Sequence, residues 1–185
     1  MIALPQTAPT PATFGWFVRT LLEPWEADAV AQDMETAATT QAMVYSEGVV
    51  LQPWHRSTLT AQVTQASRAL LVSRLEEMRP VLEDLFGYPL HRAEDPQFLI
   101  YWPGGFFRRH ADRGPGATHR RVSVTVLIRA EGDGGELVVA DDAGDHLVEL
   151  TPGDLFAFSS SAWHEVTTVE FGRRFSVVSW YSSDV

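Results

Sequence analysis

From residue 97 onward the chain is built of short apolar runs, and this pattern most limits what it can fold into. Val122, Val124, Val126 and Ile128 alternate with Ser123 and Thr125, as a strand with one buried face does. Comparable runs predict strands at 97–102, 105–111, 121–129, 136–140, 146–150, 154–158, 164–170 and 174–181. Turn-rich breaks at 132–135 and 141–145 separate some of them, the first containing Asp133-Gly134. Eight short strands at this spacing predict a sandwich or an open barrel of the jelly-roll type.

The first half follows another pattern. Residues 1–13 are rich in Pro, Thr and Ala without any period, which predicts a disordered tail. A short strand is expected over 14–22. Pro24 stands where the first helical residue belongs, and Trp25, Ala29, Val30 and Met34 follow at helical spacing. A longer helix is expected to start at Ser57 or Thr58, both suitable caps, and to run toward Leu85. Its stripe is Leu59, Val63, Leu70, Leu71, Leu75, Met78, Val81 and Leu85, with Pro80 expected to kink or divide it and Gly87 to end it. The fold class is therefore α+β, mainly β, with N-terminal helices packed on one sheet. One domain over 14–185 suits a chain of 185 residues, with helical support at 14–96 and the core at 97–185.

Composition removes several kinds of chemistry. There is no cysteine, so disulfides, iron–sulfur clusters and thiolate zinc sites are excluded, and any metal must be held by His, Asp or Glu. The net charge of −10 argues against binding nucleic acid through its phosphates. No apolar run approaches membrane-spanning length, and no basic segment precedes an apolar one near the start. A soluble, cytoplasmic protein without membrane contact is expected. All 14 basic residues are arginine. Arg108, Arg109, Arg113, Arg120 and Arg121 crowd one stretch, either as solvated loop charges or as a positive rim that draws in a small anion.

That stretch also holds His110 and Asp112. Residues two apart on a strand share a face, so the pair can grip one metal ion. His164 would complete two imidazoles and one carboxylate, a set that leaves coordination positions open, as in non-haem Fe(II) oxygenases. His55, His91, His119 and His146 lack a carboxylate two positions away. Arg174, at the start of the last strand, offers a fork suited to a carboxylate, and Tyr101 offers a second hydrogen bond.

The run Tyr101-Trp-Pro-Gly104-Gly105-Phe-Phe-Arg-Arg-His110-Ala-Asp112 resembles a segment of prolyl 4-hydroxylase-like Fe(II)/2-oxoglutarate-dependent oxygenases. Gly134-Gly135-Glu136-Leu137 resembles that family's turn between core strands. The residues from Gly153-Asp154-Leu155 through His164-Glu-Val166, then Gly172-Arg173-Arg174 and Trp180, resemble its distal-histidine and arginine segment. The similarity is dense over 97–181 and thin in the helical half. It implies a double-stranded β-helix, the jelly roll of this family. It also implies Fe(II) on His110, Asp112 and His164, 2-oxoglutarate on Arg174 and Tyr101, and O2 as the other co-substrate. Gly172 would serve the turn into the last strand, and Arg173 is the rival for the anion. One departure is Thr168, where the family often has proline.

The resemblance further implies hydroxylation of an unactivated C–H bond, with release of succinate and CO2. Related halogenases replace the metal aspartate with a small residue, and Asp112 is present here. Nucleic-acid demethylases need an arginine six residues after the anion-binding one, where this chain has Trp180. The expected substrate is a prolyl or other amino-acid residue, free or in a peptide. The alternatives are a small-molecule metabolite, or a non-catalytic jelly roll that binds or stores. Trp54, Arg56, Trp102 and Trp180 are the candidate substrate residues, and 113–120 a candidate lid. Monomer and homodimer both remain open.

Overall fold

The strand expected at 121–129 is longer, Arg120–Gly134, because it pairs on both sides with other long strands. The structure, a computed structural model, describes residues 15–45, 49–50 and 52–184; the expected tail at 1–13 lies outside the described residues. In chain order the elements begin with β1 (Trp16–Thr20), α1 (Pro24–Thr36), β2 (Thr39–Gln41), β3 (Val44–Tyr45) and β4 (Val49–Val50). They continue with β5 (Arg56–Ser57), β6 (Leu59–Ala61), α2 (Gln65–Phe86), β7 (Gln97–Tyr101) and β8 (Phe106–His110). The rest are β9 (Arg120–Gly134), β10 (Leu137–Asp141), β11 (Gly144–Val148), β12 (Asp154–Ser159), β13 (His164–Val166) and β14 (Val169–Ser182).

Two antiparallel sheets form the jelly-roll core. The larger has the order β1-β12-β9-β14-β7-β6-β2 and the smaller β11-β10-β13-β8-β5. Both helices pack on the outer face of the larger sheet. Met34 of α1 and Leu71, Leu75 and Leu82 of α2 are buried against Phe98, Val122, Val126 and Val177. Each such side chain contributes about 1.5–3 kcal/mol on burial. Tyr181 of β14 reaches into this layer, and its hydroxyl donates to the Leu75 carbonyl at 2.7 Å. The inner face of the sheet meets the smaller sheet through Leu137, Val139, Phe156 and Phe158 at one end and Leu99, Tyr101 and Val169 at the other.

The second helix begins later than expected. Ser57 and Thr58 resemble caps, but residues 56–61 instead join the two sheets: Arg56 and Ser57 pair with β8, and β6 pairs with β7 and β2. Tertiary pairing thus overrides the helical spacing of Leu59 and Val63, and Thr64 caps the helix. Pro80 does not divide α2, which continues to Phe86; Gly87 closes it in the left-handed conformation. The run 164–170 is two elements, broken at Thr167 and Thr168, and 169–182 is one continuous strand. Gly172 is accordingly not at a turn. It lies inside β14 opposite Gly132, with φ +78°, and a Cβ there would sit 2.1 Å from the Glu131 carbonyl oxygen.

Candidate metal centre and adjoining pocket

His110 ends β8 and His164 begins β13, and the two are direct partners across the smaller sheet. Asp112 is not on a strand: β8 stops at His110, and the aspartate hangs from the loop that follows. It still turns inward. Its Oδ1 lies 3.6 Å from His110 Nε2 and its Oδ2 3.4 Å from His164 Nε2. The ligand atoms of all three fall within 4.8 Å of one another, close enough for one ion to bridge them.

Both imidazoles are held the same way. His110 Nδ1 is 2.7 Å from the Arg108 carbonyl oxygen and His164 Nδ1 is 3.0 Å from that of Ala162. A carbonyl only accepts, so each Nδ1 carries the proton and each Nε2 presents a lone pair to the centre. Such partners on the far ring nitrogen orient metal-binding histidines. Phe107 stacks on His110 at 3.6 Å between centroids, and Phe158 meets His164 edge-on at 4.7 Å. Burial pushes the His164 pKa down to about 4 against the pull of Asp112, so the ring is neutral near pH 7. Burial alone would raise the Asp112 pKa; facing His164 and His110 and accepting from Ser123 hold it below the usual carboxylate range. His164 and Asp112 are therefore already in the protonation states that a divalent ion requires.

The same pocket contains two buried arginines. Arg174 of β14 is the register partner of Tyr101 of β7, and its Nε has no hydrogen-bond partner. Burial lowers its pKa, while Tyr101 and Glu136 pull the other way. Arg56 of β5 donates to the Met43 carbonyl at 3.0 Å and lies over the Phe107 ring, and its Nε is also without a partner. An unpartnered donor this deep is costly unless an acceptor arrives, and a dicarboxylate co-substrate brings one. Two imidazoles, a carboxylate and a vacant guanidinium donor thus fit iron with 2-oxoglutarate. Arg173 leaves this pocket: it pairs with Glu35 at 2.5 Å and with Glu131 at 3.3 Å.

The four candidate substrate residues divide. Arg56 and Trp180 line the pocket. Trp54 and Trp102 do not: Trp54 is 71% exposed on a turn, and Trp102 is 47% exposed beside a separate groove with Gln41, Thr58 and Pro103. A tryptophan in a loop carries no signal of which way it faces, so the sequence could not separate them.

The expected rim is largely engaged in internal bonds. Arg109 pairs with Asp145 and Glu165, Arg108 donates to the Trp54 carbonyl, and Arg113 and Arg121 donate to that of Thr118. Arg120 grips Glu94 with two hydrogen bonds and stacks 3.6 Å over Trp180, bracing that pocket wall. The 114–117 loop is a closed turn, with the Ala117 N–H donating to the Gly114 carbonyl and Ala117 buried.

His55, set aside as a metal ligand because no carboxylate lies two positions away, packs 6.0 Å from His110. Sequence reasoning missed two residues here. Ser123 donates to Asp112 Oδ2 at 2.6 Å, and Ser160 lies 2.9 Å from Ser123. The polar gap in the apolar alternation of 122–128 was the only available signal for Ser123.

A family model described as 2OG-Fe(II) oxygenase superfamily matches residues 96–182. A PKHD-type hydroxylase of Janthinobacterium sp. is 31% identical over 151 residues, covering 70% of this chain and 67% of that protein. A PKHD-type hydroxylase of Caulobacter vibrioides is 41% identical over 97 residues, covering 48% of this chain. The chain spans less than half the length of that second relative, 43%. The fold is similar to a crystal structure of a Pseudomonas putida prolyl-4-hydroxylase, with TM-score 0.75, 24% identity, and 94% of this chain and 95% of that one covered. The chain belongs to the 2OG-Fe(II) oxygenase superfamily, and His110, Asp112 and His164 form its iron site.

Proposed function

We propose that this protein hydroxylates an unactivated C–H bond of a prolyl or other amino-acid residue, free or peptide-bound. One observation carries the reading: the metal triad shares a pocket with two buried arginines, Arg174 and Arg56, each with a vacant Nε. With iron, 2-oxoglutarate and dioxygen bound, the site has the chemistry to convert a C–H bond to an alcohol while releasing succinate and CO2. The protein's own residues do the rest. His110, Asp112 and His164 hold the metal through one set of positions and leave others open. Arg174, with Tyr101 beside it, receives the distal carboxylate of 2-oxoglutarate. Trp180 and Val178 wall the pocket and exclude water, which strengthens every charge contact inside.

Arg56 faces the same space from the opposite sheet and is the candidate arm for the substrate. Its buried charge favours a substrate that carries a carboxylate, as a free amino acid or small organic acid does, and this supports the metabolite reading beside the peptide one. The test is succinate formation by the purified chain with Fe(II) and 2-oxoglutarate, followed by screening peptides, amino acids and small acids for a gain of one oxygen. Succinate is expected from the wild type and not from His110→Ala. With the identified substrate, Arg56→Met is expected to raise KM while substrate-free succinate release persists. No succinate above the His110→Ala background would leave a non-catalytic binding protein as the reading.

A further inference from the structure

Of the three iron ligands, only Asp112 is carried by a loop. Strand pairing fixes His110 and His164, but nothing of that kind fixes a residue two positions beyond the end of β8. Its side chain is nevertheless almost buried, at 11% exposure. Two serines account for this. Ser123, on β9, places Oγ 2.6 Å from Asp112 Oδ2, and the hydroxyl of Ser160 lies 2.9 Å from Ser123 Oγ. Both serines are fully enclosed.

Ser123 has one hydroxyl proton, and the charged, nearer carboxylate takes it. The Ser160 hydroxyl then donates to Ser123 Oγ, which makes Ser123 the better donor. The backbone reinforces the arrangement. The Arg113 N–H donates to the Ser160 carbonyl at 2.8 Å, and the Ser160 N–H donates to the Arg121 carbonyl at 2.9 Å. The aspartate loop, the start of β9 and the turn after β12 are thereby closed into one ring of bonds.

We propose that Ser123 and Ser160 are positioning residues for the iron site: their hydroxyl relay holds the loop-borne Asp112 carboxylate in the orientation in which it faces His110 and His164. The inference rests on the iron reading above. Loss of such an outer partner typically weakens metal binding about 10- to 100-fold.

The test is Co(II) titration of the full chain, read by affinity and by the visible absorption that reports coordination number. Ser123→Ala is expected to bind Co(II) about 10- to 100-fold more weakly and with a changed spectrum, because Oδ2 is released. Ser160→Ala is expected to fall between it and wild type, and Ser123→Thr to restore both readouts. Wild-type affinity and spectrum in Ser123→Ala overturn the proposal. So does a loss that Ser123→Thr fails to rescue, since that makes shape rather than the hydroxyl responsible. Should Ser123→Ala not fold, Ser160→Ala decides: a changed spectrum supports the relay and an unchanged one overturns it. Failure of the wild type to bind Co(II) any better than His110→Ala would overturn the iron reading itself, and the relay with it.

Discussion

Replacing Arg174 with Met separates co-substrate binding from stability, because the two should move in different directions. Met keeps much of the side chain's length and removes a guanidinium that is buried with a vacant Nε. Truncating one member of a buried, hydrogen-bonded charge pair costs about 2–5 kcal/mol. At about 1.4 kcal/mol per decade, 2-oxoglutarate should bind roughly 30- to 4,000-fold more weakly. The free protein should not suffer, since Met removes a buried guanidinium whose Nε has no partner and whose burial is costly. Thermal unfolding with Mn(II) in place of iron measures both effects. Co-substrate at about 100 times the wild-type Kd adds about 2.7 kcal/mol, a rise of roughly 5–10 °C for a chain of this size. Arg174→Met should show a rise of about 3 °C or less at the same concentration, from a starting Tm equal to wild type or higher. A full-sized rise in Arg174→Met would refute the assignment, and loss of the rise in Arg173→Ala alone would move the role to its neighbour.

Acidification should destabilise the metal-free protein in two steps. His164 has a folded pKa near 4, below its unfolded value of about 6.5, so its contribution is complete above about pH 6.5 and is lost as pH falls to about 4. That loss is on the order of 3 kcal/mol; the depressed Asp112 adds a further loss below its ordinary value of about 3.8. Urea unfolding of the apo protein across this range should show the decline, and His164→Gln should flatten the upper step. A second stability prediction contrasts two glycines. Gly172→Ala places a Cβ against backbone at positive φ and should cost at least about 3 kcal/mol, whereas Gly87→Ala, with φ +77° and open space, should cost about 1–2 kcal/mol. Equal costs at the two sites would mean that β9 and β14 can move apart at Gly132, contrary to the close approach described.

The metal ligands were legible because their chemistry depends on residue type and spacing. A histidine and an aspartate two apart, with a distant histidine, keep their meaning even though the aspartate turned out to lie beyond the strand. The place of Arg174 in the pocket was legible for a related reason: alternation on β14 sends it and Arg173 to opposite faces. The start of α2 was not legible. Leu59 and Val63 fit a helix locally, and only the pairing of 56–61 with strands distant in sequence decides otherwise. Ser123 and Ser160 were hidden because serine suits turns, caps and strands alike, and its role depends on what lies opposite.

The larger sheet presents two surfaces with different duties, and they interleave along single strands. On β9, Val122, Val126 and Ile128 face the helices, whereas Ser123 and Thr125 face the pocket. On β14, Phe175, Val177 and Tyr181 face the helices, and Arg174, Ser176, Val178 and Trp180 face the pocket. Adjacent codons therefore answer to separate pressures. In a library covering these strands, one parity should govern how much protein accumulates and the other what it accepts as substrate. Variation confined to the pocket parity lets specificity drift without first eroding the scaffold that supports it.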